Sequence, residues 1–181
     1  GSAEPRVTAV TMKLGEALTL RDNQPVGGYC PIERTLALLT PPSTVLVLRE
    51  AFYGATRFHE FTARTALTDA TTSARLRELV AAGILETRSY QEPGQRRRDE
   101  YVLTASGEGL MPAIFALLQW GNEHTPPPYP PSMRHDGCGE VVGIVARCAA
   151  GHEVEADDIV VSAAGPFGVS DPISLASWDA A

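Results

Sequence analysis

Residues 67–85 have the sequence LTDATTSARLRELVAAGIL. Its first three residues form a tight polar turn, and the run that follows predicts a helix from Ala70 to Ala82, closed by Gly83. Three apolar side chains of this helix recur at i, i+3 and i+4 and therefore face a core: Leu76, Leu79 and Val80. The side chains left for the other faces are mostly short and polar or are arginines. The stretch thus predicts one amphipathic helix entered by a tight turn.

Three more helices are predicted before this turn. The first begins at Cys30-Pro31, with proline at the first helical position, and ends at Thr40-Pro41-Pro42. Ser43 is expected to cap the second helix, which stops at Gly54. A short third helix begins at Arg57-Phe58-His59-Glu60-Phe61. The third and fourth helices, with the turn between them, form a helix–turn–helix pair.

After the fourth helix the apolar period changes from 3.6 to 2, which is typical of strands. Strand-like runs cover Ile84–Tyr90 and Glu100–Leu103, on either side of the basic tip PGQRRR at 93–98. Thr104-Ala105-Ser106 supplies hydroxyl groups suited to capping a long helix over 107–121. The apolar side chains of that helix spread over more than one face, so we expect it to pack against a partner.

The two ends of the chain differ in composition from its middle. Residues 1–29 are assigned to an N-terminal arm without committed secondary structure. Five prolines within 125–131 predict a semi-rigid, extended linker. In the remaining segment, Val141–Ala146 and Glu153–Val161 are predicted strands. The expected organisation is an arm at 1–29, a central domain at 30–124, the linker at 125–131 and an acidic module at 132–181.

The order of these elements is that of a winged helix-turn-helix domain. We therefore predict an α+β fold that is mainly α, with a β-hairpin wing and a small β-rich C-terminal module. In such a domain the recognition helix presents short polar and basic side chains to DNA, while its leucines hold the opposite face. The candidate DNA contacts are Thr71, Thr72, Ser73, Arg75 and Arg77 on the helix, with Arg96, Arg97 and Arg98 at the hairpin tip. Arg75 could equally be the partner of a carboxylate in the same chain.

Five motifs recur in order within 29–124: CP at 30–31, LVLRE at 46–50, G at 54 with RFHEF at 57–61, SARLRELVAAGIL at 73–85 and YVLTASG at 101–107. Together they resemble the HxlR (DUF24) regulators, which are relatives of MarR. The resemblance implies a homodimeric transcriptional regulator that binds a pseudo-palindromic site on double-stranded DNA. In one departure, the chain has Thr40-Pro41-Pro42-Ser43-Thr44 where the family usually has a tryptophan, which would leave a space at this helix junction.

Charge is distributed unevenly along the chain. The net charge of −7 by itself opposes binding to nucleic acid. Residues 57–98, however, hold eight arginines against five carboxylates, whereas residues 132–181 hold two arginines against eight carboxylates. A basic middle is compatible with a nucleic-acid surface on that segment alone. The acidic tail favours the alternative function, a ligand-sensing or protein-interaction module that kept the winged fold without binding DNA.

Cys30 is a candidate redox sensor. It stands before a predicted helix N-terminus, where the helix dipole and free N–H groups favour a thiolate. The resemblance implies the same role, because a cysteine at this position responds to electrophiles or oxidants in several members of the family. The alternative is a small buried residue, since free cysteine is among the most buried residue types. A redox signal, an electrophile or another small molecule is the expected effector.

Two short-spaced pairs of histidine and cysteine lie in the C-terminal module, His135 with Cys138 and Cys148 with His152. Such pairs occur in the knuckles of zinc ribbons, and the four residues together would supply a tetrahedral zinc site. Some relatives with this extension carry a further cysteine where this chain has Gly151. The alternatives are a Cys138–Cys148 disulfide or two buried thiols. Zinc is the one cofactor that the sequence suggests.

Other classes of protein are not expected. No motif places a base beside a nucleophile, and no glycine-rich phosphate loop is present, so we predict no enzyme. No stretch approaches the roughly 18 uninterrupted apolar residues of a membrane helix, and no basic segment followed by an apolar run opens the chain. We therefore expect neither a membrane span nor a secretory signal. The expected location is the cytoplasm.

Overall fold

In a computed structural model of the chain, residues 11–20, 26, 30–91, 94 and 97–162 are described. The helices in chain order are α1 (Glu16–Thr19), α2 (Pro31–Leu39), α3 (Pro42–Phe52), α4 (Phe58–Thr65), α5 (Asp69–Ala81), α6 (Ala105–Glu108) and α7 (Met111–His124). The strands are β1 (Lys13–Leu14), β2 (Leu85–Tyr90), β3 (Arg98–Leu103) and β4 (Val160–Val161), and a 3-10 helix spans Ala156–Asp158. None of these described helices has the length and apolar character needed to cross a membrane.

The contacts divide the chain into two compact units. The described residues of the larger unit lie within Pro31–Ile144. The smaller unit combines the described residues of Gly1–Cys30 with those of Val145–Ile173. The boundaries predicted for the arm, the linker and the C-terminal module stay predictions.

The core of the larger unit lies where α3, α4 and α5 meet the β2–β3 hairpin. Its fully buried apolar side chains come from all of these elements: Val47, Leu48, Phe61, Leu76, Leu79 and Leu85. The inward face predicted for α5 is confirmed, because Leu76 and Leu79 are inaccessible and Val80 packs half-buried against the core. Each fully buried leucine stabilises the fold by about 1.5–3 kcal/mol, so the core fixes the rotation of α5 about its axis.

Strands β2 and β3 form an antiparallel hairpin, as the change of period predicts. Tyr90 pairs with Arg98 next to the tip. Two contacts tie the hairpin to the segment before α4. The N–H of Tyr101 donates to the carbonyl oxygen of Thr56 at 2.7 Å, and the guanidinium of Arg57 lies 4.8 Å from the centroid of the Tyr90 ring. The wing is therefore held against the helical core.

The turn between α4 and α5 is short and capped on both sides. Helix α4 ends at Thr65, and its C-cap residue, Ala66, has a left-handed backbone with φ of +55°. Helix α5 begins after Thr68, whose side-chain oxygen accepts the backbone N–H of Thr71 at 3.2 Å. This bond satisfies one of the free N–H groups at the start of the helix. A tight turn forms as predicted, but it covers residues 66–68, because Asp69 is already the first residue of α5; it makes α4 and α5 a helix–turn–helix pair.

The predicted cap of α3 is wrong. The N-cap residue is Pro41 and the helix begins at Pro42, so Ser43 lies within the first turn and no side chain caps the helix. Proline suits this position because its fixed φ is close to the helical value, and the N–H it lacks would have had no partner within the helix. The end of α3 agrees with the prediction, because Gly54 follows it with φ of +85°.

The single long helix predicted from Gly107 is also wrong, because the structure has α6 and α7 in its place. Pro112 explains the break, since proline cannot bond to the carbonyl of Glu108, and its ring collides with that carbonyl in a continuous helix. Thr104 caps α6 by accepting the N–H of Gly107 at 3.1 Å. Glycine is required at 107, because a Cβ there would collide with the carbonyl oxygen of Ile84.

The strands predicted near the end of the chain form only in part. Val141 makes a single bridge to Arg134, and the rest of Val141–Ala146 is irregular. In the smaller unit, Val160–Val161 forms a short parallel ladder with Lys13–Leu14. A strand needs a neighbouring strand to satisfy its backbone, and a glycine at 143 and two aspartates at 157 and 158 weaken these runs.

Candidate nucleic-acid interface

Helix α5 carries the predicted reading residues between Thr71 and Arg77. Arg77 is exposed, and Thr71 and Ser73 are half-buried. The hydroxyl oxygens of Thr68 and Thr71 are 2.9 Å apart, and the Nε of Arg77 donates to the carbonyl oxygen of Ser73 at 3.3 Å. Short hydroxyl side chains and one arginine are thus held along nearly two turns of a helix whose other face is buried. Such an arrangement can contact base edges and phosphates in a major groove.

Thr72 does not belong to this surface, so its prediction as a DNA contact is wrong. The residue is inaccessible, and no described residue bonds to its hydroxyl oxygen. The physical reason is the helical period: Thr72 precedes Leu76 by four positions and Leu79 by seven, so all three lie on the inward face. Residue type suggested a contact, whereas spacing alone would have placed Thr72 in the core.

Of the two roles left open for Arg75, the structure shows the intramolecular one. Its Nη2 lies 2.9 Å from Oε1 of Glu78, three residues further along α5. The Arg75 side chain is only 16% exposed. An arginine held in this way stiffens the surface of the helix and offers little of its guanidinium to a phosphate.

The wing carries exposed positive charge. Arg97 and Arg98 are both exposed, at the start of β3 beside the tip of the hairpin. Arg96, the third predicted wing contact, lies outside the described residues. A further arginine on β2, Arg88, is neutralised by Glu86, whose Oε1 lies 2.8 Å from its Nη2. Among the described residues of the wing, the positive charge available to a DNA backbone is therefore concentrated at Arg97 and Arg98.

Arg64, in the last turn of α4, is a further candidate contact that was not predicted from the sequence motifs. Its side chain is 44% exposed, and its Nη2 lies 3.9 Å from Oε1 of Glu60, a loose ion pair. The first helix of a helix-turn-helix pair crosses the DNA backbone, where an exposed arginine can contact a phosphate. Arg64 could have been found from the sequence as a cation near the end of a short predicted helix. The helix dipole favours a positive charge at that position.

All three cysteines are free thiols. Cys30 is half-buried and immediately precedes α2, whereas Cys138 and Cys148 are exposed. The structure therefore contains neither the Cys138–Cys148 disulfide nor two buried thiols in that region. The alternatives for Cys30 were a redox-sensing thiol and a small buried residue. Because the residue is half-buried, its exposure favours neither alternative, and its role as a sensor stays a prediction.

Both histidine–cysteine pairs form locally. Nδ1 of His135 lies 3.2 Å from Sγ of Cys138, and Nδ1 of His152 lies 3.7 Å from Sγ of Cys148. Among the described residues, no group of three or more His, Cys, Asp or Glu side chains is placed to hold a metal ion. Zinc binding by these four residues stays a prediction. Metal analysis of protein purified without chelator tests it, with about one zinc per chain as the supporting result.

The fold and this surface define the class of protein. A helix-turn-helix pair packed on a third helix and followed by a hairpin is the architecture of winged helix-turn-helix transcription regulators. Residues 39–129, about half of the chain, match the family model described as HxlR-like helix-turn-helix. The chain belongs to the HxlR-like family and is a transcriptional regulator of the helix-turn-helix type.

Two similar proteins are likewise described as transcriptional regulators of the HTH type. An uncharacterized HTH-type transcriptional regulator of Mycobacterium tuberculosis is 40% identical over 111 residues, which are 60% of this chain and 69% of the relative. Another uncharacterized HTH-type transcriptional regulator, from Synechocystis, is 35% identical over 98 residues, which are 54% of this chain and 71% of the relative.

Two solved structures resemble the chain over most of its length. The candidate transcription factor PA1607 superposes with a TM-score of 0.65 at 32% identity, covering 75% of this chain and 95% of that one. PA1374, a candidate transcription factor from Pseudomonas aeruginosa, superposes with a TM-score of 0.53 at 30% identity. The match covers 79% of this chain and 97% of that one. Both likenesses extend beyond the segment that matches the family. They confirm the predicted winged helix-turn-helix fold class.

Proposed function

We propose that the protein binds double-stranded DNA as a homodimer, at a pseudo-palindromic operator, and that a redox or small-molecule signal controls this binding. The observation that carries the proposal is the outward face of α5, on which Arg77 is exposed and Thr71 and Ser73 are half-buried, together with the exposed arginines of the wing. In this arrangement α5 enters the major groove, where Thr71, Ser73 and Arg77 meet base edges and phosphates. Arg97 and Arg98 approach the backbone or minor groove from the wing, and Arg64 approaches a flanking phosphate.

Exposed apolar side chains support the homodimer. Helix α2 has no buried residue, and Ile32 and Leu36, one turn apart, are 70% and 53% exposed. On α7, Trp120 is 58% exposed. A nine-residue helix is not stable in water by propensity alone, so these faces are expected to be covered by a second copy. Two-fold symmetry then requires two half-sites about one helical turn apart on the DNA.

The signal acts through Cys30 or through a bound small molecule. Cys30 lies at the start of α2, a helix assigned to the dimer, so modification of its thiol would change the segment that sets the spacing of the two reading heads. Mild oxidant or a quinone should then release DNA from the wild type but not from Cys30→Ser. An equal response in both proteins would exclude Cys30 as the sensor. As a DNA-binding regulator, the protein would act in the cytoplasm and carry no catalytic site.

Titration onto its own upstream intergenic DNA, at several salt concentrations, tests the proposal. A regulator forms a specific complex whose affinity falls steeply with salt, because arginines displace counterions from phosphates. A protein of the alternative class, a ligand-sensing or protein-interaction module without DNA binding, would form no complex even at low salt. That result would contradict the proposed function.

A further inference from the structure

The centre of the outward face of α5 is apolar. Thr72, Leu76 and Leu79 lie on the buried face of this helix. An α-helix has about 3.6 residues per turn, so three small residues lie on the opposite side and form an alanine row: Ala70, Ala74 and Ala81. Ala70 and Ala81 are exposed, and Ala74 is half-buried. The side of α5 that a partner would meet therefore presents methyl groups along its centre.

Polar groups beside the alanine row already have partners in the same chain. The hydroxyl oxygen of Thr71 lies 2.9 Å from that of Thr68. The Nη2 of Arg75 lies 2.9 Å from Oε1 of Glu78. A base is identified through hydrogen bonds by donors and acceptors that are free to pair with its edge. These engaged groups are therefore poorly suited to hydrogen-bond readout, whereas the alanine methyl groups are available for apolar contacts.

Positive charge borders the alanine row. Arg77 is exposed and lies about one turn after Ala74. Its Nε donates to the carbonyl oxygen of Ser73 at 3.3 Å, which leaves the two Nη groups for other acceptors. An apolar row bordered by cations fits a major groove, whose base edges lie between two phosphate backbones. It fits an apolar protein surface poorly, because the cations would then lose their hydration without gaining a partner.

We infer that Ala70 and Ala74 contact the C5-methyl groups of thymines, so that each half-site of the operator carries thymine where α5 enters the major groove. Thymine is the only one of the four DNA bases with a methyl group on its major-groove edge, and alanine is among the residues that contact it. Ala81 lies about 16 Å further along the helix than Ala70, whereas recognition helices contact base edges with their N-terminal residues. This contact rests on the proposed function and adds a sequence preference to it.

Replacing thymine by deoxyuridine tests the contact on the wild-type, full-length chain, because the two bases pair identically and differ only by the C5-methyl group. Protection of the upstream DNA first locates the half-sites, and each thymine is then replaced at the equivalent position of both. At one or two positions the replacement should weaken binding about fourfold per half-site, and about 15-fold for the symmetric pair, as expected for one buried methyl group each. Half-sites without thymine, or without any sensitive thymine, would overturn the contact.

Glycine variants assign the contact to the protein. Ala70→Gly and Ala74→Gly remove a methyl group and also weaken the helix, but the weaker helix affects both forms of the DNA equally. The ratio of affinities for thymine and deoxyuridine therefore isolates the methyl contact, as in a double-mutant cycle. This ratio should fall towards one at a sensitive thymine in each variant. A ratio unchanged in both variants would overturn the assignment.

Ala81→Gly is the matched control, because it makes the same change in the same row at the far end of α5. It should keep the wild-type ratio, and an equal loss of the ratio in this control would also overturn the assignment. A specific complex that is insensitive to every deoxyuridine would leave the proposed function intact and contradict the thymine contact alone. The absence of any complex at low salt would contradict the proposed function, and the thymine contact with it.

Discussion

Thr72 lies on the inward face of α5, one turn before Leu76, with its hydroxyl oxygen unbonded among the described residues. A buried hydroxyl group without a partner keeps its desolvation cost and gains no bond in return. Thr72→Val keeps the shape of the side chain and removes that group. We expect the free energy of unfolding, measured by urea denaturation, to rise by about 1 kcal/mol.

A substitution at the neighbouring Ser73 tests DNA recognition separately from the packing of α5. Ser73→Ala should leave stability nearly unchanged and alter the preference among operator sequences, because Ser73 lies on the proposed DNA-facing side. If Thr72→Val instead destabilised the protein or changed its sequence preference, the rotation assigned to α5 would be incorrect.

Glu60 stabilises the start of α4 in a way that depends on pH. Its Oε2 accepts the backbone N–H groups of Arg57 and Thr56, both at 2.9 Å. These bonds, with the nearby charge of Arg64, hold the pKa of Glu60 below its ordinary value of 4.5, and partial burial opposes them. Because the folded-state pKa is lowered, the stabilisation is present above the unfolded pKa and is lost as pH falls through the folded value.

We therefore expect Glu60→Ala to lower the free energy of unfolding by about 1 kcal/mol near neutral pH, as for other helix caps. The difference from the wild type should shrink below pH 4.5 and vanish below the folded-state pKa. Glu60→Gln keeps an acceptor oxygen and should cost less. Urea denaturation across this pH range measures the effect, and a loss that is constant with pH would refute this role of the carboxylate.

At the scale of elements, local sequence patterns were informative wherever contacts are local. The spacing of Leu76 and Leu79 located α5, and the change of period located the hairpin. One element was predicted wrongly and one strand pairing was not predicted, for two different reasons. Pro112 broke the long helix, a rule of local geometry that the apolar pattern concealed. The pairing of Lys13–Leu14 with Val160–Val161 joins distant parts of the sequence, so no local pattern could have revealed it.

The candidate site was predictable to a similar degree. The exposed arginines of the wing followed from charge, and Arg77 followed from the helical pattern. A cavity of about 550 Å3 that is lined by α3, α7, Pro127 and Pro131 could not be predicted, because it depends on how the proline-rich segment returns along α7. The bond between Asn122 and Pro131 that fixes this return has no signature in the sequence.

The wing gives a prediction about how binding depends on salt. Replacing Arg97 and Arg98 by alanine should weaken binding to all DNA sequences and reduce the slope of log affinity against log salt by about 2, because phosphate contacts release counterions. Fluorescence anisotropy at several salt concentrations measures both quantities. The matched control replaces Arg134 and Arg147, which removes the same charge elsewhere in the chain. A slope unchanged in the wing variant, or reduced equally in the control, would show that the wing does not contact DNA.

At the scale of the whole molecule, the exposed apolar face of α2 predicts the oligomeric state. Ile32→Glu places a charge on that face without disturbing a buried residue, since Ile32 is 70% exposed. We expect this variant to be a folded monomer in sedimentation velocity, with strongly reduced affinity for a two-half-site operator. Ser106→Glu, which adds the same charge at an exposed position on α6, should remain dimeric. A dimeric Ile32→Glu would exclude α2 from the interface.

In the proposed complex, two copies of α5 read one two-fold symmetric DNA site. Hydroxyl-radical footprinting of the wild type on its own upstream DNA tests this most directly, because the footprint reports both symmetry and spacing. We predict two protected half-sites with inverted sequences, centred roughly 10 base pairs or a multiple of that apart. A single unsymmetrical protected segment, or no protection at low salt, would contradict the account.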